Sequence, residues 1–324
     1  MAPVKWGIIS TADINRKLIP GAHASPKVDL VAVASRDKDR AETYAREWQI
    51  ERAYGSYDEL LADPDIEAVY NPLPNTMHAE WSIKALDAGK HVLCEKPFSR
   101  HVDEVEASFD AAERNDRLLS EAFMYRHNPQ TARLKELVDS GAIGELRLVR
   151  SAFSYSLYDA DNIRLRTDVE GGALMDVGCY CVSGSRLLAG EPESVYGSAW
   201  FGETGTDWVF TATLRFPDGV LATFDCGTAL CERDELEAIG SEGSLFLDDP
   251  WHCNEPVIEV RRADGTERIE VEPVDSYRLE LENLSDAIRG EGELLLGRED
   301  AVAQARVVEA LHESATAGKP VALR

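Results

Sequence analysis

The chain has 324 residues, 44% of them hydrophobic and 29% charged, which is apolar material for two cores rather than one. A formal net charge of −25 excludes the clustered basic surface that nucleic acid needs and disfavours anionic membranes. No apolar run reaches the roughly 18 residues of a membrane helix, and the N-terminus runs into a strand-like segment without a leader pattern, so a cytoplasmic location is expected.

The first 123 residues alternate short apolar, β-rich runs with helical ones. Strands are expected at 4–9, 28–35, 66–70, 91–95 and 118–123, with helices at 13–19, 37–48, 78–88 and 102–115 between them. Alternation of this kind, with nearly continuous apolar strands, predicts a parallel sheet covered on both faces. A helix at 129–139 follows, and then the pattern changes. A long strand is expected at 146–157 and one helix at 171–188, followed by strands joined by turn signals such as Pro217-Asp218-Gly219 and Ala263-Asp264-Gly265. Helices at 276–288 and 299–317 close the chain. The reading is an α/β domain over 1–123 and, over 124–324, an α+β domain whose antiparallel sheet has one face on a helix layer.

The acidic residues are spread along the chain, as on a solvated surface. Six cysteines (94, 179, 181, 226, 231 and 253) have no framework spacing and read as free thiols. Cys179 and Cys181, two apart on an expected helix, point in different directions, and no metal site is expected.

Four segments carry candidate chemistry. The turn after the first strand, Gly7-Ile8-Ile9-Ser10-Thr11-Ala12-Asp13-Ile14, stands where dinucleotide folds place G-x-G-x-x-G. Ser10 and Ala12 take the first two glycine places and Asn15 the third. It is either a phosphate-approaching loop at a helix start or an ordinary tight turn. At the end of the second strand, Ser35-Arg36 offers a hydroxyl and a guanidinium suited to a 2′-phosphate, which favours NADP over NAD; alternatively Arg36 is a surface charge and Asp37 takes the ribose. Pro72, Asn75 and His78 follow the third strand. Glu95 and Lys96, before Pro97, end the fourth, where an open sheet binds ligands beyond its carboxyl edge. Lastly, Gly171-Gly172 precedes Asp176 and Tyr180, four apart on one helix face, a carboxylate and a phenol able to grip a hydroxyl and exchange its proton. The bland readings are a surface lysine, a dipole-favoured aspartate and a half-buried core tyrosine. Arg126 and His127 after the last strand, and Asn162 and Arg164 before the glycine pair, are further candidates for substrate contact.

Trp6-Gly7-Ile8-Ile9-Ser10-Thr11-Ala12, Pro74-Asn75-Thr76-Met77-His78, the run from Ala88 to Pro97 ending Glu95-Lys96-Pro97, and Gly171 to Tyr180 together resemble the Gfo/Idh/MocA oxidoreductases over the whole chain. The resemblance implies a Rossmann domain, an open-sheet second domain used for dimers or tetramers, and nicotinamide-dependent chemistry on sugars and polyols. It makes Lys96 the catalytic lysine and places Asp176 and Tyr180 at the substrate. Tyr180, where many members carry His, and the Ser10/Ala12 pair are similar to the branch of D-xylose dehydrogenase, dimeric dihydrodiol dehydrogenase and glucose–fructose oxidoreductase. The expected activity is therefore an NAD(P)-dependent aldose 1-dehydrogenase, with a ketosugar reductase, a dihydrodiol dehydrogenase or a non-catalytic NADP-binding sensor as alternatives. In the expected mechanism Lys96 lowers the pKa of the Tyr180 phenol, ordinarily about 10, and Tyr180 exchanges the hydroxyl proton.

Overall fold

The computed structural model describes residues 2–157, 159 and 161–323. Its internal contacts divide the chain into two units, Met1–His127 with Asp275–Val302, and Asn128–Val274 with Ala303–Arg324. This differs from a single division at 123/124, because residues 275–302 return to the first unit.

In the first unit six strands, β1 (Val4–Ile9), β2 (Val28–Ala34), β3 (Arg52–Tyr54), β4 (Ala68–Asn71), β5 (His91–Glu95) and β6 (Leu119–Ala122), form a wholly parallel sheet in the order β3-β2-β1-β4-β5-β6. The strand order reverses between β1 and β4, the position at which an open doubly wound sheet leaves a ligand crevice. The expected strands are present. The short β3 and the five-residue helix α3 (Tyr57–Leu61) were not foreseen. Helix α1 (Asn15–Ala24) begins later than expected and runs through Pro20, while α2 (Lys38–Trp48), α4 (His78–Asp87) and α5 (Val102–Arg114) lie close to their expected places. The returning helix, here called αR (Ser276–Arg289), starts on Asp275, whose carboxylate accepts the N–H groups of Tyr277 and Arg278. Its Leu281 and Leu284 are buried in one core with Leu18, Ile19 and Leu30.

In the second unit α6 (Pro129–Asp139) is capped by Asn128 with Pro129 at its first position. A nine-stranded sheet follows. From β7 (Leu146–Ser156) the neighbours on one side are β10 (Leu221–Gly227), β9 (Asp207–Arg215) and β8 (Ser194–Phe201). On the other side are β11 (Ala229–Gly240), β12 (Ser244–Leu247) and β13 (Val257–Arg262), and short strands complete both edges. All these pairs are antiparallel except β7 with β10. Strand β9 shows why one face stays open: Phe210, Ala212 and Leu214 are buried while Thr211, Thr213 and Arg215 are exposed, the period of two of a sheet covered on one side. The covering helix α7 (Cys179–Ala189) is preceded by a wide π-type turn, Leu174–Gly178, where one continuous helix over 171–188 was expected.

Candidate active site

The cofactor-facing residues lie in the first unit. Ser10, the last residue before the β1–α1 turn, has φ 117, a conformation natural to glycine, so the chain keeps the backbone of the glycine it replaces. Asn15, at the third glycine place, donates from Nδ2 to the Ser10 carbonyl at 3.0 Å and closes the loop. The Ser10 hydroxyl is buried without a hydrogen-bond partner, an orphaned donor at a helix N-terminus that bears no acidic residue in its first turn. Thr11, Ala12 and Ile14 are partly exposed on the same turn, and Asp13 is exposed and paired with Arg16 at 3.2 Å. A pyrophosphate would satisfy such a donor set, so these residues fit the group. At the end of β2 the two readings of Ser35-Arg36-Asp37 separate. The Asp37 carboxylate caps α2 by accepting the Arg40 N–H at 2.8 Å, and the Ser35 hydroxyl accepts the Asp37 N–H at 3.3 Å. Asp37 is engaged as a helix cap, and Arg36 is exposed at the strand's carboxyl end.

Pro72 is buried and Asn75 half-buried after β4. His78 is fully buried, its Nε2 2.6 Å from the Leu73 carbonyl and its Nδ1 2.9 Å from that of Pro97. Burial pushes its pKa down. The ring therefore ties the β4 turn to the Lys96-Pro97 turn, whose peptide is cis. Glu95 is likewise inward: it takes the Tyr70 hydroxyl on one oxygen and the Lys96 N–H, at 3.2 Å, on the other. That leaves Lys96, half-buried at the carboxyl end of β5, as the side chain which the turn presents. Arg126 is paired with Asp300 at 3.4 Å, and the half-buried His127 is held neutral, its pKa lowered to about 4 by burial first and Arg126 second. Neither arrangement favours the substrate contact expected of these two residues.

The second unit carries Asp176 and Tyr180. The entrance to their turn depends on close packing: a Cβ on Gly171 would stand 2.5 Å from the Arg164 carbonyl oxygen, and one on Gly172 (φ +132) 2.0 Å from Asp207 Oδ1. Asp207 in turn accepts the Leu174 N–H at 2.7 Å, holding the first residue of the π-type turn. Asp176 is gripped from two sides. The Tyr155 hydroxyl donates to Oδ2 at 2.5 Å, and Arg164 Nε donates to Oδ1 at 3.0 Å. Burial, then the adjacent Asp176 charge, push the Tyr155 phenol well above its ordinary range, so it remains a donor. Asn162 serves locally, accepting the Arg164 N–H at 3.1 Å and so fixing the turn from which Arg164 reaches Asp176. Tyr180 is buried, with its ring edge-on to Phe153 at 5.3 Å and 5.9 Å from Trp251. Phe153 and Tyr155 are two apart on β7 and share a face, so one strip of strand supports both Asp176 and Tyr180. Sequence reasoning did not find Tyr155. Its only signal was its place two residues beyond Phe153 on a strand facing the helix layer.

As expected, none of the six cysteines is in a disulfide, and five of them are buried. Among the described residues no helix is long and apolar enough to cross a membrane.

Residues 4–123 match the family described as "Oxidoreductase family, NAD-binding Rossmann fold", and residues 131–246 match the "GFO/IDH/MocA C-terminal domain". The chain belongs to the GFO/IDH/MocA oxidoreductase family. Two relatives match it nearly end to end. An uncharacterized oxidoreductase, ORF334, of Rhizobium meliloti is 39% identical, covering 97% of this chain and 98% of its own. D-xylose 1-dehydrogenase (NADP(+)) 2 of Haloferax volcanii is 40% identical, covering 98% and 99%. Among solved structures, KijD10, a 3-ketoreductase from Actinomadura kijaniata in complex with NADP and TDP-benzene, superposes with a TM-score of 0.91 at 32% identity, over 96% of this chain and 98% of that one. This GFO/IDH/MocA member is therefore a nicotinamide-dependent oxidoreductase, with a six-stranded Rossmann sheet and a large, mostly antiparallel second sheet.

Proposed function

We propose that the enzyme is an NADP-dependent aldose 1-dehydrogenase acting on a D-xylose-like sugar. The observation that carries this reading is the double grip on Asp176 by Tyr155 and Arg164, on the strip of β7 that also supports Tyr180. A carboxylate fixed in this way is an oriented acceptor for a substrate hydroxyl. The 40% identity to the Haloferax D-xylose dehydrogenase favours an aldose, and the use of Asp37 as a helix cap leaves Arg36 for the 2′-phosphate of NADP.

When bound, the nicotinamide accepts or gives the hydride. The chain supplies the proton chemistry. In oxidation Tyr180 takes the proton of the anomeric hydroxyl and Asp176 holds a neighbouring hydroxyl, with Lys96 as the proposed catalytic lysine. In reduction each proton moves the other way. A double-mutant cycle on Lys96 and Tyr180 tests whether the two serve one substrate: strongly non-additive losses in kcat support it, and additive ones reject it.

The test of the function is the reduced-nicotinamide absorbance with NADP or NAD and a panel of aldoses, inositols and cyclic diols. Turnover of D-xylose with NADP is expected; silence on every aldose, with turnover of a ketosugar by NADPH, would replace this reading by that of a reductase. The similarity to KijD10 favours that second reading. We propose a cytoplasmic enzyme that forms a dimer or tetramer through the open sheet, where Tyr196, Trp200 and Phe201 are 43%, 58% and 52% exposed.

A further inference from the structure

One cluster beside Tyr180 has no part in the chemistry above. The loop between β12 and β13 delivers Trp251 and His252 to the helix-covered face of the sheet. Trp251 is fully buried, donates its indole N–H to the Ala152 carbonyl at 3.1 Å, and fills the notch left by Gly184 on α7, where a Cβ would stand 2.8 Å from the indole. Its backbone N–H goes to Asp234 Oδ1 at 3.2 Å, and Asp249 Oδ2 accepts the Glu255 N–H at 2.9 Å. The loop is thus tied at both ends. It sets His252 with Nδ1 donating to Asp234 Oδ2 at 2.5 Å and lying 3.9 Å from Asp249 Oδ1, its ring edge-on to Phe153 at 5.4 Å. Phe153 touches Tyr180 on one side and His252 on the other. The His252 side chain is 47% exposed, in contrast to the 15% of Asp234 that orients it.

We infer that His252, oriented by Asp234 and flanked by Asp249, is a specificity-determining residue that reads a hydroxyl on the part of the sugar remote from the reacting carbon and excludes substrates carrying phosphate or nucleotidyl groups there. The inference rests on the sugar-oxidoreductase reading and narrows its substrate to an uncharged polyol. Two carboxylates beside one imidazole give the cluster no net positive charge at neutral pH, whichever atom holds the proton. A phosphate brought to it meets like charge at short range. A hydroxyl, both donor and acceptor, matches an imidazole–carboxylate pair in either protonation state. The same three residues are spaced so that a cation is conceivable. Their existing hydrogen bonds already account for the arrangement.

The experiment compares wild type, His252→Gln and Asp249→Asn by steady-state kinetics on a neutral aldose, its 6-phosphate and a nucleoside-diphosphate sugar, with thermal melts to confirm folding. Wild type should prefer the neutral aldose at least about a hundredfold in kcat/KM. His252→Gln should raise the aldose KM about tenfold with kcat and the NADP KM nearly unchanged, and Asp249→Asn should narrow the discrimination against the phosphate. Turnover of neutral aldose with an unchanged KM in His252→Gln overturns the inference while the aldose reading stands. Turnover of the charged sugars alone overturns both. Loss of activity on chelation, restored by zinc, overturns it in favour of a metal centre.

Discussion

Glu280 is fully buried on αR and neither carboxyl oxygen has a hydrogen-bond partner. Burial first, and then the charges of Glu95 and Asp275, push its pKa well up, so it is carried as the neutral acid. A carboxyl whose folded pKa is raised contributes its full stability below its unfolded pKa, near 4.3, and loses it as pH rises through the folded value. Glu280→Gln, which keeps the shape and cannot ionise, should therefore be the more stable protein at neutral pH. Its margin should widen by up to about 1.4 kcal/mol per pH unit, read by denaturant titration from pH 5 to 9. A margin that does not change with pH would refute this. The opposite limb belongs to His91 and His127, both held to about 4 by burial first and by Arg117 and Arg126 respectively. Depressed histidines stabilise above their unfolded pKa, so stability should fall as pH drops from roughly 6.5 towards 4. In the second unit, Tyr155→Phe removes a donor to Asp176. It should cost about 1.5–3 kcal/mol of local stability and at least tenfold in kcat/KM, with NADP binding unchanged. Tyr180→Phe should lower kcat by about a hundredfold or more while retaining the fold; near-full turnover would remove Tyr180 from proton transfer.

At the scale of single elements, the β2–α2 junction permits a test of cofactor choice. With Asp37 engaged as a helix cap, Arg36→Ala should weaken NADP binding at least tenfold and leave NAD nearly unaffected, as measured by fluorescence titration of each cofactor. Equal weakening of both would return the discrimination to another group. The same scale shows what was legible in the sequence. β1, β2, β4, β5 and β6 were found because continuous apolar runs between helices have few other readings. β3 and α3, of three and five residues, are too short to show a period. At the Gly171-Gly172 pair the chain is closely approached by Arg164 and Asp207. The π-type turn which the pair opens depends on Asp207, 33 residues beyond Leu174, and no local pattern reports such a contact. His78, Glu95 and Asn162 make hydrogen bonds to backbone that no local pattern announces, the first two on the β4 and β5 turns and the third beside Arg164. Tyr155 and His252 reach their places through strand register and a tied loop, which composition does not reveal.

For the whole molecule, 59 acidic against 34 basic residues set the response to salt. A net charge of −25 repels itself in the compact state, and screening relieves that repulsion over a Debye length of about 10 Å at 0.1 M. The melting temperature should rise steadily as monovalent salt is added, and fall on return to low ionic strength; a flat response would mean that the acidic surface is locally compensated. The return of residues 275–302 bears on a different process, synthesis on the ribosome. The first unit has all six of its strands once residue 127 is made, yet the Leu281 and Leu284 that complete its core are translated only after the whole of 128–274. At cellular elongation rates that interval is roughly ten to thirty seconds. Throughout it the surface formed by Leu18, Ile19 and Leu30 lacks its cover, so the nascent chain emerges with an apolar groove that a chaperone must guard until αR arrives.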